Sequence, residues 1–149
     1  MSPQLIFGDI KDLDPTELKS TLLKVGITRL DTAARYMNGD SEKKIGRAKL
    51  PDTFTIDTKI LLTLPGDGHL SAEAIEQSLS NSLHVLGVER VNVLYCHGPD
   101  FQTPIAEQAR AFHEQYKTGR FRYVSESLWK SNHPLKAASS ECLTSQRLW

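Results

Sequence analysis

The sequence predicts an α/β protein on a parallel sheet, and three observations predict it. Apolar spacing switches repeatedly between strand and helix periods along the chain. The helical stretches carry start and stop signals of their own. The strand-like stretches are short, and the best of them is apolar almost throughout, as a strand covered on both faces should be. Five strand candidates alternate with four helix candidates, so the order is βαβαβαβαβ. That order implies parallel strands with right-handed crossovers.

Residues 5–8 form the first strand candidate. Asp14 then reads as an N-cap, with Pro15 at the first helical position and Glu17 at the third. Leu18, Leu22 and Val25 share a helical face, and Gly26 stops the helix. Residues 27–31 read as the second strand and 41–48 as a short helix. Residues 53–59 make a third strand rich in β-branched side chains. Ser71 caps the clearest helix, with Ile75, Leu79, Leu83 and Leu86 as its apolar stripe and Gly87 as its stop. Residues 91–97 form the fourth strand. Thr103 and Pro104 open the last helix, with Ile105, Ala109, Phe112 and Tyr116 on one face, and Gly119 closes it. Residues 121–124 are the fifth strand. Beyond Val124 the pattern fails; 125–149 is serine-rich, and its one helix candidate is 134–148. The domain reading is therefore 1–124 for the βα repeat and 125–149 for a divergent tail.

Composition excludes several functions. Lys and Arg together number 18, as do Asp and Glu, so nothing favours nucleic acid or an anionic membrane as partner. No apolar run approaches the ~20 residues of a membrane span. Residues 1–7 are too short for a signal peptide. Two cysteines, Cys96 and Cys142, make neither a disulfide framework nor a zinc site. A reducing, cytoplasmic setting is the expectation. The phosphate loops G-x-G-x-x-G and G-x-x-x-x-G-K-[ST] are absent. At this level a doubly wound sheet and a TIM barrel both fit.

Polar residues end three successive strand candidates: Asp31, Lys59 and His97. Tyr36 follows Asp31 in the next loop. Strand C-termini face the active site of a TIM barrel, so these four side chains should meet at one mouth of the sheet. Singly, each has a plainer explanation: a turn or cap for the Asp, solvation for the Lys, a structural hydrogen bond for the His. Their recurrence at strand ends argues for a site. The other histidines, His69, His84, His113 and His133, read as solvated. Cys96 alternates with its neighbours and reads as a buried thiol. Arg120 and Arg122 flank a strand start, at the wrong end for catalysis. Trp129 and Trp149 fall in the tail.

Asp31-Thr32-Ala33-Ala34-Arg35-Tyr36, then Asn38-Gly39, Ser41-Glu42 and Ile45-Gly46, resembles the aldo-keto reductase signature. Thr58-Lys59 is similar to the family's lysine strand, and Leu94 to Asp100 (LYCHGPD) to its histidine strand. Gly119 to Val124 resembles the approach to its fifth strand. Among subgroups, the aflatoxin-aldehyde reductases are the most similar. The resemblance covers residues 4–124 and implies a partial (β/α)8 TIM barrel: about four βα units, a fifth strand and a parallel sheet.

It also implies a reaction: NADPH-dependent reduction of aldehydes or ketones. Tyr36 would be the general acid. A free tyrosine ionises near ~10, and a neighbouring ammonium, here Lys59, stabilises a phenolate. Asp31 would hold Lys59 and touch the cofactor, and His97 would orient the carbonyl. No metal is required. A complete barrel takes ~250 residues, and the family's pyrophosphate and 2′-phosphate sites lie in the later units. After the fifth strand the family's Gly-x-Ser-Asn is replaced by Ser125-Glu126-Ser127-Leu128, where Ser127 keeps one nicotinamide contact. The expectation is a reductase impaired by truncation. The alternative is a non-catalytic or cofactor-independent half barrel that oligomerises or binds a carbonyl compound. A half barrel would expose two strand edges and an apolar inner face, so a homo-oligomer is expected.

Overall fold

The computed structural model describes residues 7–8, 14–61 and 69–125. Five strands, β1 (Phe7–Gly8), β2 (Arg29–Asp31), β3 (Thr55–Lys59), β4 (Val91–Tyr95) and β5 (Phe121–Ser125), pair in the order β1-β2-β3-β4-β5, every pair parallel. That order decides between the two architectures the sequence allowed. A doubly wound sheet reverses its strand order at a switch point; this sheet adds each new strand beside the last, as a TIM barrel does. Four helices connect the strands: α1 (Pro15–Lys24), α2 (Asp40–Arg47), α3 (Ala72–Leu86) and α4 (Ile105–Lys117).

The helix starts obey local chemistry. The Asp14 carboxylate accepts from the backbone N–H groups of Thr16 and Glu17 at 2.9 and 3.0 Å, satisfying two of the donors that a helix start leaves open. Ser71 does the same for Ala74, and α3 stops at Gly87, whose φ of +70° suits a residue without a Cβ. Two helical faces differ from expectation. Val25 is 56% exposed, because it caps α1 and lies past its last turn. On α4 the buried residues are Gln108, Ala111 and Phe112, while Tyr116 is exposed. The helix is rotated because the Gln108 amide is drawn inward to the carbonyls of Asp100 and Thr103, at 3.0 and 2.7 Å.

The core lies between sheet and helices. Leu30, Ile56, Ile60, Leu94 and Cys96 face Leu18, Leu22, Ile45, Ile75, Leu79, Leu86 and Phe112. Behind β3, the buried Glu42 carboxylate accepts from the hydroxyls of Thr58 (2.6 Å) and Ser82 (3.1 Å), which fixes α2 to β3 and α3. Burial raises its pKa, and those two hydrogen bonds oppose the rise.

Strand alternation turns the remaining side chains of β2–β4 the other way. Arg29, Asp31, Asp57, Lys59 and Tyr95 meet there through ion pairs and a ring contact. The inner face is therefore ionic at β2 and β3, with Val91 and Val93 of β4 buried on the side of Tyr95, rather than apolar throughout as the half-barrel argument supposed. The long apolar residues of these strands are already used against the helices.

Helices α2 and α3 touch through a glycine. A Cβ placed on Gly46 would lie 2.0 Å from the Val85 carbonyl oxygen and 3.1 Å from the Leu86 Cα. Both are backbone atoms, so no rotamer change can relieve the clash. Gly46→Ala should cost about 3 kcal/mol or more and lower the melting midpoint by about 10 °C. Thermal unfolding by circular dichroism checks this; a melt matching the unsubstituted chain would refute the contact.

Candidate active site

The site is built where β2, β3 and β4 end. Asp31 is the last residue of β2 and Lys59 the last of β3. The Lys59 ammonium donates to the Asp31 carboxylate at 2.5 Å and to the Thr32 carbonyl at 2.9 Å. The same nitrogen lies 4.8 Å from the centre of the Tyr36 ring. Tyr36 meets the His97 ring edge-on, with centroids 5.6 Å apart and planes at 84°. The structure thus brings together all four residues singled out at the strand ends. Ser127 lies outside the described residues, as do His133, Trp129, Trp149 and the helix candidate 134–148.

Two placements need correcting. His97 is not within the strand, which ends at Tyr95; it sits two residues beyond, in the loop towards α4. His69 is not solvated but 4% exposed. His84 is exposed and His113 half-buried. Cys96 is buried, and burial pushes its thiol up to about 12, which makes it inert at neutral pH.

The loop that carries Tyr36 is tightly bent. Met37 and Asn38 both have left-handed backbones, with φ of 53° and 54°, and Gly39 follows at 88°. Such conformations are costly for a side chain like that of Met37 and persist where the surroundings impose them. They fold the chain back so that α2 starts directly after the tyrosine turn.

Sequence reasoning missed three neighbours of this cluster. Asp57 is fully buried below Lys59 and pairs with Arg29 at 2.5 Å. It also accepts from the Asn92 amide (2.8 Å) and the Val93 N–H (3.1 Å). Strict alternation placed it on the same face as Lys59, so the signal was present. Tyr95 offers its ring to the Lys59 ammonium at 5.5 Å; burial raises its pKa, with Asp57 the largest charge adding to the rise. Arg35 contributes positive potential at His97.

The electrostatics set the state of the imidazole. Burial lowers the His97 pKa, and the Lys59 and Arg35 cations lower it further, against an opposing effect of Asp31. His97 is therefore neutral at neutral pH. The unfolded chain takes up that proton more readily, so this residue subtracts stability as pH falls below about 6.5. Its Nδ1 is buried without a hydrogen-bond partner among the described residues. A carbonyl acceptor would thus meet Nε2.

Asp100 organises the loop beyond His97. Its carboxylate accepts from the backbone N–H groups of Leu70 (2.9 Å), Gln102 (2.9 Å) and Thr103 (3.2 Å), and from the Thr103 hydroxyl (2.7 Å). Burial pushes its pKa up, but these four donors outweigh burial and hold it at about 2 against an ordinary 3.8. The resulting stability, about 2 kcal/mol, is complete above pH 4 and is lost as pH falls through about 2. Urea unfolding at pH 5 and pH 2 should therefore show a loss about 2 kcal/mol smaller in Asp100→Asn than in the unsubstituted chain. Equal losses would disprove the role of the carboxylate.

Among the described residues no group of three or more His, Cys, Asp or Glu side chains could hold a metal ion, and no helix is long and apolar enough to cross a membrane.

The aldo/keto reductase family model matches residues 9–142. The chain belongs to the aldo/keto reductase family. An aldo-keto reductase of Pseudocercospora fijiensis is 37% identical over 105 residues, 68% of this chain and 36% of that protein. A probable voltage-gated potassium channel subunit beta of Arabidopsis thaliana is 35% identical over 141 residues, 88% of this chain and 42% of that one. The aflatoxin B1 aldehyde reductase member 2 of Mus musculus is 36% identical over 105 residues, 66% and 28%. Among solved structures, a thermostable aldo-keto reductase in complex with the inhibitor epalrestat superposes with a TM-score of 0.63 at 30% identity, over 73% of this chain and 39% of that one. This aldo/keto reductase chain thus spans 28–42% of the length of these proteins. The sheet of this family member is the opening part of the family's barrel.

Proposed function

We propose that the chain carries the proton-transfer half of an NADPH-dependent reductase of aldehydes or ketones. The observation that supports it is the meeting of Tyr36, Lys59, Asp31 and His97 at one end of a parallel sheet. Three of the four can donate to a carbonyl oxygen, and the fourth fixes the cation. This donor set suits an oxygen that gains negative charge.

Tyr36 acts as general acid, and its hydroxyl proton passes to the carbonyl oxygen as the carbonyl carbon is reduced. The proton loss leaves a phenolate, which the Lys59 ammonium stabilises; Asp31 keeps that ammonium in place. Neutral His97 donates through Nε2 to the same oxygen and sets the angle of approach. NADPH, when bound, supplies the hydride. Asp31 and Ser127 would hold its nicotinamide end. By the family resemblance the cofactor's phosphates are held by later barrel units, and the chain spans 28–42% of its relatives' length, so the 149 residues should bind NADPH weakly and turn over slowly. Oriented binding is worth up to about 7–11 kcal/mol in favourable cases. The ionic inner face leaves strand edges as the basis for a homo-oligomer. Two cysteines in 149 residues suit a reducing, cytoplasmic setting.

The test is fluorescence titration of the purified chain with NADPH, followed by turnover with a simple aldehyde. Weak, saturable binding with slow, aldehyde-dependent NADPH oxidation is expected. No binding at millimolar NADPH would favour the cofactor-independent reading, which the 28–42% coverage of relatives keeps open.

A further inference from the structure

We propose that His69 is a positioning residue for His97. The proposal rests on the reductase reading for its functional meaning, but on geometry for its substance. His69 ends the connection between β3 and α3 and is buried, with Leu70 buried beside it. Its Nε2 lies 3.4 Å from the carbonyl oxygen of Gly98, the residue next to His97. The adjacent Leu70 N–H donates to Asp100 at 2.9 Å. Two rungs therefore clasp residues 69–70 to the turn 98–100 on which His97 is mounted.

The tautomer follows from the partner. A carbonyl oxygen only accepts, so Nε2 of His69 must carry the hydrogen. Its Nδ1 is then bare, buried and without a partner among the described residues. An unpaired buried nitrogen costs free energy that a leucine at this position would not. A histidine is worth that cost here if its other nitrogen does something, and the group it contacts belongs to the His97 turn. His97 needs such support. Its own Nδ1 is equally unpartnered, so no hydrogen bond at that nitrogen fixes its ring. In many sites a second group locks the imidazole directly. Here the backbone of the turn takes over that task, and the Tyr36 ring supports the other side.

The distinguishing experiment uses two variants of the whole chain. His69→Gln keeps an N–H donor where Nε2 stood; His69→Leu keeps bulk and removes the donor. Imidazole nitrogen NMR is the first readout. In the unsubstituted chain His69 should carry a hydrogen at Nε2, and His97 at neutral pH should show a single neutral tautomer protonated at Nε2. His97 should keep that signature in His69→Gln and lose it in His69→Leu. Where turnover is measurable, kcat should fall about ten- to a hundredfold in His69→Leu with little change in KM for NADPH, and His69→Gln should recover most of it. An Nδ1-protonated His69 in the unsubstituted chain overturns the proposal without any variant. So do unchanged His97 signals in His69→Leu, or equal damage from both substitutions. If His97 responds as expected but no variant and no parent reduces a carbonyl with NADPH, the positioning role stands and the reductase reading fails.

Discussion

Tyr36→Phe should lower carbonyl reduction by about 10²–10⁴-fold, the usual contribution of a positioned general acid, while leaving the fold intact. The ring sits 4.8 Å from the Lys59 ammonium and 5.6 Å from the His97 centroid, and both contacts use the ring rather than the hydroxyl. Phenylalanine keeps them both. What it lacks is the proton that must reach the carbonyl oxygen. The expected pattern is therefore a collapse of kcat with nearly unchanged NADPH binding and an unchanged melting curve. Because turnover of the 149-residue chain is expected to be slow, the comparison needs single-turnover conditions with NADPH in excess. Equal rates in the two proteins would remove Tyr36 from the mechanism and leave Lys59 or His97 as the proton source. A loss of binding or stability along with rate would instead assign the hydroxyl a structural task.

Much of this was legible because the relevant signals are local or periodic. The caps at Asp14 and Ser71 and the stop at Gly87 are fixed by backbone donors within a few residues. The mouth residues were legible because strand ends in parallel sheets share a direction, so Asp31 and Lys59 at strand ends and His97 two residues past one converge without any knowledge of contacts. The misses share a cause: each depends on a hydrogen-bond partner outside its own element, which periodicity does not register. His69 is buried because the Gly98 carbonyl, 29 residues later, receives it while Asp100 receives the N–H of the adjacent Leu70 from 30 residues on. Gln108 turns inward, displacing the face that Ile105, Ala109 and Tyr116 suggested, because two loop carbonyls need its amide. The ionic inner face was hidden because attention to the last residue of each strand passed over the residue two places earlier, Arg29 in β2 and Asp57 in β3.

That pair, with Asp57 fully buried and Arg29 half-buried, carries the largest effect expected on stability. Asp57 has no exposed surface and serves Arg29, Asn92 and the Val93 N–H at once. Asp57→Ala would strand the Arg29 cation on the inner face and leave an amide and a backbone N–H without an acceptor. Removing one member of a buried pair costs about 3–5 kcal/mol, a large share of the 5–15 kcal/mol that holds a domain together. Replacing both, as Arg29→Met with Asp57→Ala, removes the stranded charge and should restore part of that loss, though not the share owed to Asn92 and Val93. A double-mutant cycle by urea unfolding measures this; strict additivity of the two single losses would show that the pair is not coupled. A second substitution at this position, Asp57→Asn, has a spectroscopic signature. Burial raises the pKa of Tyr95, and the Asp57 charge raises it further, while Arg29 pulls the other way. Asp57→Asn deletes the raising charge and keeps the lowering one. Tyr95 should then ionise at lower pH, visible as an earlier phenolate absorbance in an alkaline titration with Tyr95→Phe as the blank. An unmoved or later Tyr95 transition would mean that the carboxylate does not project its charge towards the mouth.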